Sequence, residues 1–268
     1  MKNLLKASLA VLRAYFTAEL VRSRGLVYGL LSLAVWISIF VVPMTLFSEE
    51  EAMEGVAKGA LVGVAMFLAY STATWDWAML LRWLVQLGVL EYVLASGSSI
   101  LSHFIGTIPV SLAWYSIALC LVYAVISLFV GPPKLVLLDP VVLAIGVTTL
   151  LLVLLAYSLI VGGALLTSGT SGPIVELISW ILPLATGGFL PLRYMPRQLQ
   201  LLAYLTPFSY PAELIRYSLG VSEPLVDTWV AATVGLTYAT AFLVVSLVFL
   251  RVQLRKVLKE GVKSVALF

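Results

Sequence analysis

Long apolar stretches alternate with short polar ones along almost the whole chain. Six of them are long enough to cross about 30 Å of hydrocarbon as helices that rise about 1.5 Å per residue. They are Leu26–Phe47, Gly55–Trp75, Phe104–Val130, Leu135–Leu166, Pro173–Leu190 and Trp229–Leu250. The small and hydroxyl residues of Thr167–Pro173 supply the turn signal between the fourth and fifth stretches. The pattern predicts an all-α integral membrane fold with six transmembrane helices.

The segment between the last two apolar stretches departs from this pattern. Its prolines are Pro191, Pro196, Pro207 and Pro211. Proline removes a backbone donor and interrupts helices, and unsatisfied backbone groups are costly in hydrocarbon. We therefore expect residues 187–228 to form broken or re-entrant helices on the extracytoplasmic side. Such helices, held against other protein, are typical of transporters.

The charged residues predict the orientation in the membrane. Basic residues collect near the two ends of the chain, at Lys2, Lys6, Arg13, Arg22, Arg24, Arg251, Arg255, Lys256, Lys259 and Lys263. Acidic residues collect in the loops of the opposite side, at Glu49, Glu50, Glu51, Glu54, Asp139, Glu223 and Asp227. Because cytoplasmic segments are enriched in Lys and Arg, we expect both termini, including the tail 251–268, in the cytoplasm. Lys58 is expected to pair with Glu54, one helical turn earlier.

Residues 1–25 have the pattern of an amphipathic helix. Lys6 and Arg13 share one side of a helical wheel, and Val11 and Tyr15 lie on the other. This pattern predicts a helix that lies in the plane of the cytoplasmic interface. The helix either anchors the chain through its positive charge or braces a cytoplasmic partner.

Composition excludes a soluble domain and several kinds of site. Apolar residues make up 62% of the chain, charged residues 11%, and the mean hydropathy is +1.08. Cys120 is the single cysteine, which excludes a disulfide framework and a thiolate metal site. The sequence has no Gly-x-x-x-x-Gly-Lys-Ser/Thr motif and so no P-loop to hold ATP. We expect no metal, cofactor or enzymatic activity in this chain and no nucleic-acid partner.

Residues 76–102 are predicted to form a cytoplasmic loop with a short amphipathic helix over Leu80–Leu94. In this loop Gly88-Val89-Leu90-Glu91, followed by Leu94-Ala95-Ser96, resembles the Gly-Thr-Leu-Glu…Leu-Leu-x-Ser-Pro-x-Ser pattern of ABC type-2 transporter permeases. In that family the loop is the coupling helix, which docks into the ATP-binding subunit. The resemblance implies this role for Arg82, Gly88, Leu90, Glu91, Leu94 and Ser96. The sequence departs from the family at Gly97, where proline is usual.

The broken segment resembles a second signature of the same family. That signature is a small-residue turn, then Phe-x-Pro, a Leu-x-x-Leu run, Pro-x-x-Tyr and a final Arg. The corresponding residues are Gly187, Gly188, Phe189, Pro191, Leu199–Leu202, Pro207, Tyr210 and Arg216. The resemblance implies that seven of them form an outer gate: Gly187, Gly188, Phe189, Pro191, Pro207, Tyr210 and Arg216. Glu176 and Trp180 of the fifth span are candidates for lining the transport path, since ionisable groups inside a membrane are often functional.

As a whole, the chain resembles the permease subunit of an ATP-driven ABC exporter. That resemblance implies a second permease copy, identical or related, and two copies of a separate subunit that binds ATP and Mg²⁺. It also implies export of a drug, a lipid or a lipid-linked glycan across the plasma membrane, in contact with membrane lipids.

Two other functional classes stay open from the sequence. An ion-coupled secondary transporter also uses broken helices at its sites. Gly169-Thr170-Ser171-Gly172 fits the Gly-x-Ser-Gly pattern of rhomboid intramembrane proteases, and a serine nucleophile needs a base such as His103. In rhomboids the histidine follows the serine, whereas here it precedes the serine.

Overall fold

The computed structural model describes residues 2–47, 49, 52–95, 100–167 and 172–260, and all regular structure in these ranges is helical. The α-helices are α1 (Lys2–Tyr15), α2 (Gly25–Phe47), α3 (Met53–Thr72), α4 (Met79–Gln86), α5 (Leu90–Ala95), α6 (Ile100–Phe129), α7 (Pro140–Thr167), α8 (Gly172–Ala185), α9 (Arg197–Tyr204), α10 (Ser209–Ser218) and α11 (Thr228–Glu260). Phe16–Val21 forms a first π turn, Ala73–Ala78 a second π turn, and Leu192–Tyr194 a 3₁₀ turn. Residues 168–171 of the predicted turn, 96–99 of the predicted loop and 261–268 of the tail lie outside the described residues.

Within the described residues, five continuous helical runs are long and apolar enough to cross a membrane. They are Gly25–Pro43, Met53–Gln86, Ile100–Phe129, Pro140–Leu166 and Thr228–Lys259. A further apolar helix, α8, has 14 residues, or about 21 Å of length. The all-α membrane fold is confirmed, with five long helices and a shorter sixth. The predicted pair at the start of α3 is also confirmed, since Lys58 Nζ lies 2.8 Å from Glu54 Oε1.

The fifth span ends earlier than its hydropathy predicts. The apolar stretch runs to Leu190, but α8 ends at Ala185. The chain then turns at Gly187, whose φ of +79° is a conformation that glycine adopts at little cost. The Phe189 amide donates to the Pro183 carbonyl at 2.9 Å and closes this turn. Hydropathy extends the span too far because the residues of the turn are themselves apolar.

The second span is longer than its sequence predicts. The apolar pattern predicts an end at Trp75, but the helix continues through the second π turn and α4 to Gln86. Leu80 and Leu81 are buried and belong to the packed interior, so this part of the chain is not a loop. The prediction of one helix over Leu80–Leu94 is wrong, because α4 ends at Gln86 and α5 begins at Leu90.

α7 is the central helix of the bundle and packs against α11, α10, α4 and the second π turn. Its glycines allow close approach. A Cβ added to Gly146 would lie 3.1 Å from Leu214 Cβ, and one added to Gly162 would lie 2.9 Å from the Ala78 carbonyl oxygen. These contacts are about 24 Å apart along the helix. We call the end where α7 and α11 begin the gate end, and the end where α4 ends and α6 begins the coupling end.

α9 and α10 re-enter the bundle from the gate end. The ring of Phe208, between these helices, lies 5.8 Å from that of Tyr157. Tyr157 is about 25 Å along α7 from its start at Pro140. α10 then returns to the gate end, where the Leu138 amide donates to the Ser218 carbonyl at 2.8 Å. The prediction of broken helices before the last long helix is confirmed, and their location on the extracytoplasmic side stays a prediction.

α1 packs against the first half of α6. A Cβ added to Gly106 would lie 2.7 Å from the Ser8 carbonyl oxygen and 2.7 Å from Val11 Cβ, so the two helices meet closely here. The helix predicted within residues 1–25 is confirmed, with Ser8 buried and Arg13 exposed. Its location in the plane of the membrane interface stays a prediction.

Candidate gate and coupling elements

The turn at Gly187 and Gly188, which we call the gate turn, is closely packed on both sides. A Cβ added to Gly187 would lie 2.8 Å from the side chain of Leu192. One added to Gly188 would lie 3.0 Å from the Pro183 carbonyl oxygen and 3.0 Å from the ring of Tyr70. The structure therefore explains the two small residues of the signature, because a side chain at either position would displace its neighbours.

Arg216 joins α10 to the gate turn. Its guanidinium donates to the carbonyl oxygen of Gly187 through Nη1 and to that of Gly188 through Nη2, the latter at 2.9 Å. The side chain is 1% exposed. Burial lowers the pKa of Arg216 to about 10, against the opposing attraction of Tyr70 and Glu213, so it is protonated at neutral pH. The planar fork of arginine suits two adjacent carbonyl acceptors, whereas an ammonium group would not span them in the same way.

Glu213 is a second buried charged residue, one turn before Arg216 on α10. The Tyr204 hydroxyl donates to Glu213 Oε2, and the Leu225 backbone amide also donates to the carboxylate. Burial raises the pKa of Glu213, and these hydrogen bonds and the nearby Arg216 and Arg193 oppose the increase. This network ties α9 and the loop before α11 to α10. The sequence prediction missed Glu213, although its i, i+3 spacing from Arg216 was a signal that could have identified it.

The remaining predicted gate residues lie on the same segment. Pro207 is buried in the turn between α9 and α10. Tyr210 donates to the Tyr204 carbonyl at 3.0 Å, which fixes the angle between these helices. Pro191 begins the 3₁₀ turn, and the Phe189 ring packs edge-on against Phe67 with centroids 6.2 Å apart. The structure thus brings the seven gate residues into one connected unit around the gate turn and α10.

Trp180 belongs to an aromatic cluster that holds α8 against α2 and α3. Its ring centroid lies 5.2 Å from Phe67 and 6.2 Å from Trp36. The Trp180 side chain is 43% exposed. Glu176, one turn earlier on α8, is exposed and forms no ion pair with any described residue. A role of either residue in lining a transport path stays a prediction.

Three of the predicted coupling residues, Gly88, Leu90 and Glu91, lie at the junction of α4 and α5. Gly88 has a φ of +66°, and the amide of Val89 donates to the Leu84 carbonyl at 2.9 Å, so a glycine in the left-handed region ends α4. α5 then begins at Leu90. Leu90 is 1% exposed and anchors α5, whereas Glu91 is exposed.

α5 is therefore an amphipathic helix with one buried and one free face. Val93 is 9% exposed and shares the buried face, while Tyr92 is 77% exposed. Arg82 is half-buried on α4, and the backbone of Leu94 is part of α5. Ser96 lies outside the described residues. The sequence prediction missed Tyr92, which gives α5 a large exposed side chain beside Glu91.

The comparison with known families decides between the functional classes. The family model of the ABC-2 type transporter matches residues 11–219, from within α1 to just past α10. The chain belongs to the ABC-2 type transporter family. No curated protein matches the chain at a significant level.

As an ABC-2 family member, the chain is a membrane-spanning permease component of an ABC transporter. Membership in this family supports an ABC permease and gives no support to a secondary transporter or a rhomboid protease. Residues 169–171 of the rhomboid-like motif lie outside the described residues, and His103 lies within α6. The ABC-2 match includes both the α4–α5 junction and the gate turn with α10.

Proposed function

We propose that this chain is the permease half of an ATP-driven exporter in the plasma membrane, with both termini in the cytoplasm. Two permease copies, identical or related, would assemble with two separate ATPase subunits that bind ATP and Mg²⁺. The proposal rests on the structure of α5, which has one buried face and one exposed face. This short helix is anchored by Leu90 and Val93 and presents Glu91 and Tyr92 outward at the coupling end, as a docking element for another subunit requires.

The helical run Met53–Gln86 supplies a physical connection between the two ends. Near the coupling end, the Leu84 carbonyl closes the turn that positions α5. About 21 Å along the same run, Tyr70 shares a 3.2 Å hydrogen bond with Thr186, next to the gate turn. The second π turn lies between these points, and such turns are frequent at functional sites. A displacement of α5 by the ATPase would therefore act on the gate through this run.

The gate turn and α10 would move together as one rigid unit when α5 is displaced. Arg216 links α10 to the gate turn, so separation of these parts would leave two buried carbonyl oxygens and a buried guanidinium without partners. We infer that the gate opens by movement of the whole unit. ATP can drive this movement only if the ATPase binds the closed and open states with different affinity.

The lining of one cavity supports a hydrophobic cargo. A cavity of about 730 Å³ lies between α3, α6 and α7, and its walls include Leu61, Ala65, Leu112, Cys120 and Leu150. Apolar side chains dominate its lining, which suits a drug or lipid better than a small polar solute.

Substitutions on the exposed face of α5 test the proposal. Glu91→Arg and Tyr92→Ala should each prevent co-purification of a P-loop ATPase with the tagged chain, because each changes a side chain on the proposed docking face. Both side chains are exposed, so neither change should disturb the fold. Deletion of the whole junction would be less informative, since Leu84 and Leu90 are buried and their loss would disturb packing.

Matched controls lie at the gate end. Tyr194→Ala removes a tyrosine that is 75% exposed, close to the 77% of Tyr92, and Glu223→Arg reverses an exposed carboxylate. Both controls should keep the ATPase bound. The proposal fails if the ATPase stays bound to the two α5 variants, or if the purified chain transports a substrate on an ion gradient without ATP.

A further inference from the structure

A second cavity lies between the first π turn, the second π turn and α6. Its volume is about 300 Å³, within the range of small-ligand sites. Five aromatic side chains contribute to its walls: Tyr15, Trp75, Trp83, Trp114 and Tyr115. Trp75 and Trp83 are 36% and 45% exposed, so a ligand can reach the cavity from outside the chain. Walls of this kind are typical of sites for organic cations, because the faces of aromatic rings attract positive charge.

Two carboxylates line the same cavity. Glu19 comes from the first π turn and Asp76 from the second, and their charges lie near enough to repel each other. Neither forms an ion pair with a described Lys or Arg, since the ion pairs in the described ranges all belong to Glu54. The described lining also contains no basic residue. Two uncompensated negative charges among aromatic rings favour a cation and disfavour an anion.

This cavity adjoins the larger apolar one. Thr72 and Tyr115 contribute to the walls of both. The Tyr115 hydroxyl donates to the Ala65 carbonyl at 3.0 Å, which fixes its ring between the two spaces. The two cavities therefore form a charged, aromatic compartment beside an apolar compartment. A ligand that matches both has a cationic head and an apolar tail.

We propose that the two cavities bind an amphipathic organic cation, with an alkyl-ammonium head among the aromatic rings, Glu19 and Asp76, and an apolar tail toward the larger cavity. Its role as an export cargo rests on the proposed function. The binding itself requires only this chain, so the two proposals can fail separately.

The test titrates phenyltrimethylammonium into the purified full-length chain in lipid nanodiscs and follows tryptophan fluorescence. We expect saturable quenching. Asp76→Asn and Glu19→Gln should each weaken binding about tenfold, because each removes a charge near the head, and the double variant should abolish it. Trp114→Leu should also weaken binding, by about threefold to tenfold. tert-Butylbenzene, the neutral molecule of the same shape, should not compete with the cation.

Controls separate binding from damage to the fold. Glu49→Gln and Trp229→Phe change a carboxylate and an indole at the gate end and should leave the affinity unchanged. Asp76→Glu keeps the charge and should retain binding even if Asp76→Asn lowers the melting temperature. Unchanged affinity in the double variant, or equal competition by tert-butylbenzene, would overturn the proposal.

Two sources of the cationic head can be distinguished. Nanodiscs made with phosphatidylcholine present the same quaternary ammonium group as a lipid headgroup. If the soluble cation binds more weakly there than in nanodiscs without choline lipids, the lipid headgroup occupies the site. If its affinity is equal in both, a soluble amphiphile is the ligand. No ATPase is present in either titration, so the outcome leaves the coupling proposal untouched.

Discussion

At the scale of single residues, the gate depends on a buried cation and the carbonyl groups that it satisfies. A buried charge is tolerated when hydrogen bonds replace its hydration. Two nitrogens of Arg216 meet this condition, since Nη1 and Nη2 donate to the carbonyl oxygens of the gate turn, while Nε has no partner among the described residues. Those oxygens are available because Gly187 turns the backbone into a left-handed conformation. The charged side chain and the small residues of the signature are thus parts of one arrangement.

Loss of this cation should destabilise the protein. Arg216→Ala leaves two buried carbonyl oxygens unpaired, and we expect a loss of about 3 kcal/mol, or roughly 10 °C in melting temperature. Arg216→Lys should have a smaller effect because it keeps the charge but not the fork. Thermal unfolding of the purified variants in detergent measures both. Arg197→Ala, at an exposed arginine of α9, should change stability little; an equal loss there would contradict the explanation.

Packing of the gate turn gives a second prediction. A Cβ at Gly188 would press on the Pro183 carbonyl, which is backbone and cannot easily move, so Gly188→Ala should cost about 1–3 kcal/mol. Gly55→Ala is the matched control, since no residue that the structure describes lies within 4 Å of a Cβ there. That change lies in a helix and should be neutral or slightly stabilising. Similar melting temperatures for the two variants would show that the turn tolerates a side chain.

At the scale of elements, the end of α4 decides where α5 points. No described residue lies within 4 Å of a Cβ added at Gly88, so backbone conformation, and not contact with these residues, opposes a side chain there. The sequence motif marks this glycine but does not show that the helix before it is a continuation of the second span. Burial of Leu80, Leu81 and Leu84 holds that continuation in place.

Substitution of Gly88 tests this view of the junction. Gly88→Ala should cost about 1 kcal/mol, because alanine enters the left-handed region at a penalty of that order. Gly88→Asn should cost less, since asparagine accepts this conformation more readily. Thermal unfolding ranks the two variants, and ATPase co-purification shows whether α5 keeps its direction. If alanine is tolerated as well as asparagine, the positive φ is not what positions α5.

At the scale of the whole molecule, the gate extends from the gate end into the bundle, where Thr186 contacts Tyr70, and α5 lies at the coupling end. α7 contacts Leu214 near the gate end, at Gly146, and Ala78 near the coupling end, at Gly162. The helical run Met53–Gln86 is about 51 Å long, well beyond the roughly 30 Å of hydrocarbon, so it projects from the membrane. The proposed orientation places the projecting α5 in the cytoplasm.

Cysteine labelling tests this orientation. In a Cys120→Ser background, Glu223→Cys should react with a membrane-impermeant maleimide in intact cells, because that residue is exposed at the gate end. Tyr92→Cys should react only after the cells are permeabilised. The reverse pattern would invert the proposed orientation, and labelling of both from outside would show that the two elements share one side of the membrane.

The candidate site was predictable where its signal was local. The gate turn, the proline-rich break and the Gly88–Glu91 motif are contiguous strings, and the structure gives each a defined local geometry. The partners of Arg216 were not predictable, because they lie 28 and 29 residues earlier in the chain. The same holds for the cavity between Glu19 and Asp76, whose walls come from separate helices.

The sequence by itself determined the membrane-spanning character, the approximate spans, the broken segment before α11 and the family. Each follows either from hydropathy averaged over neighbouring residues or from a short contiguous motif. Tertiary structure alone decided that the second span runs on to Gln86, that α8 stops at Ala185 and that Glu213 is buried beside Arg216. The physical reason is that hydropathy reports the preference of a residue for an apolar environment. Whether lipid or another helix supplies that environment depends on contacts between residues far apart in the chain.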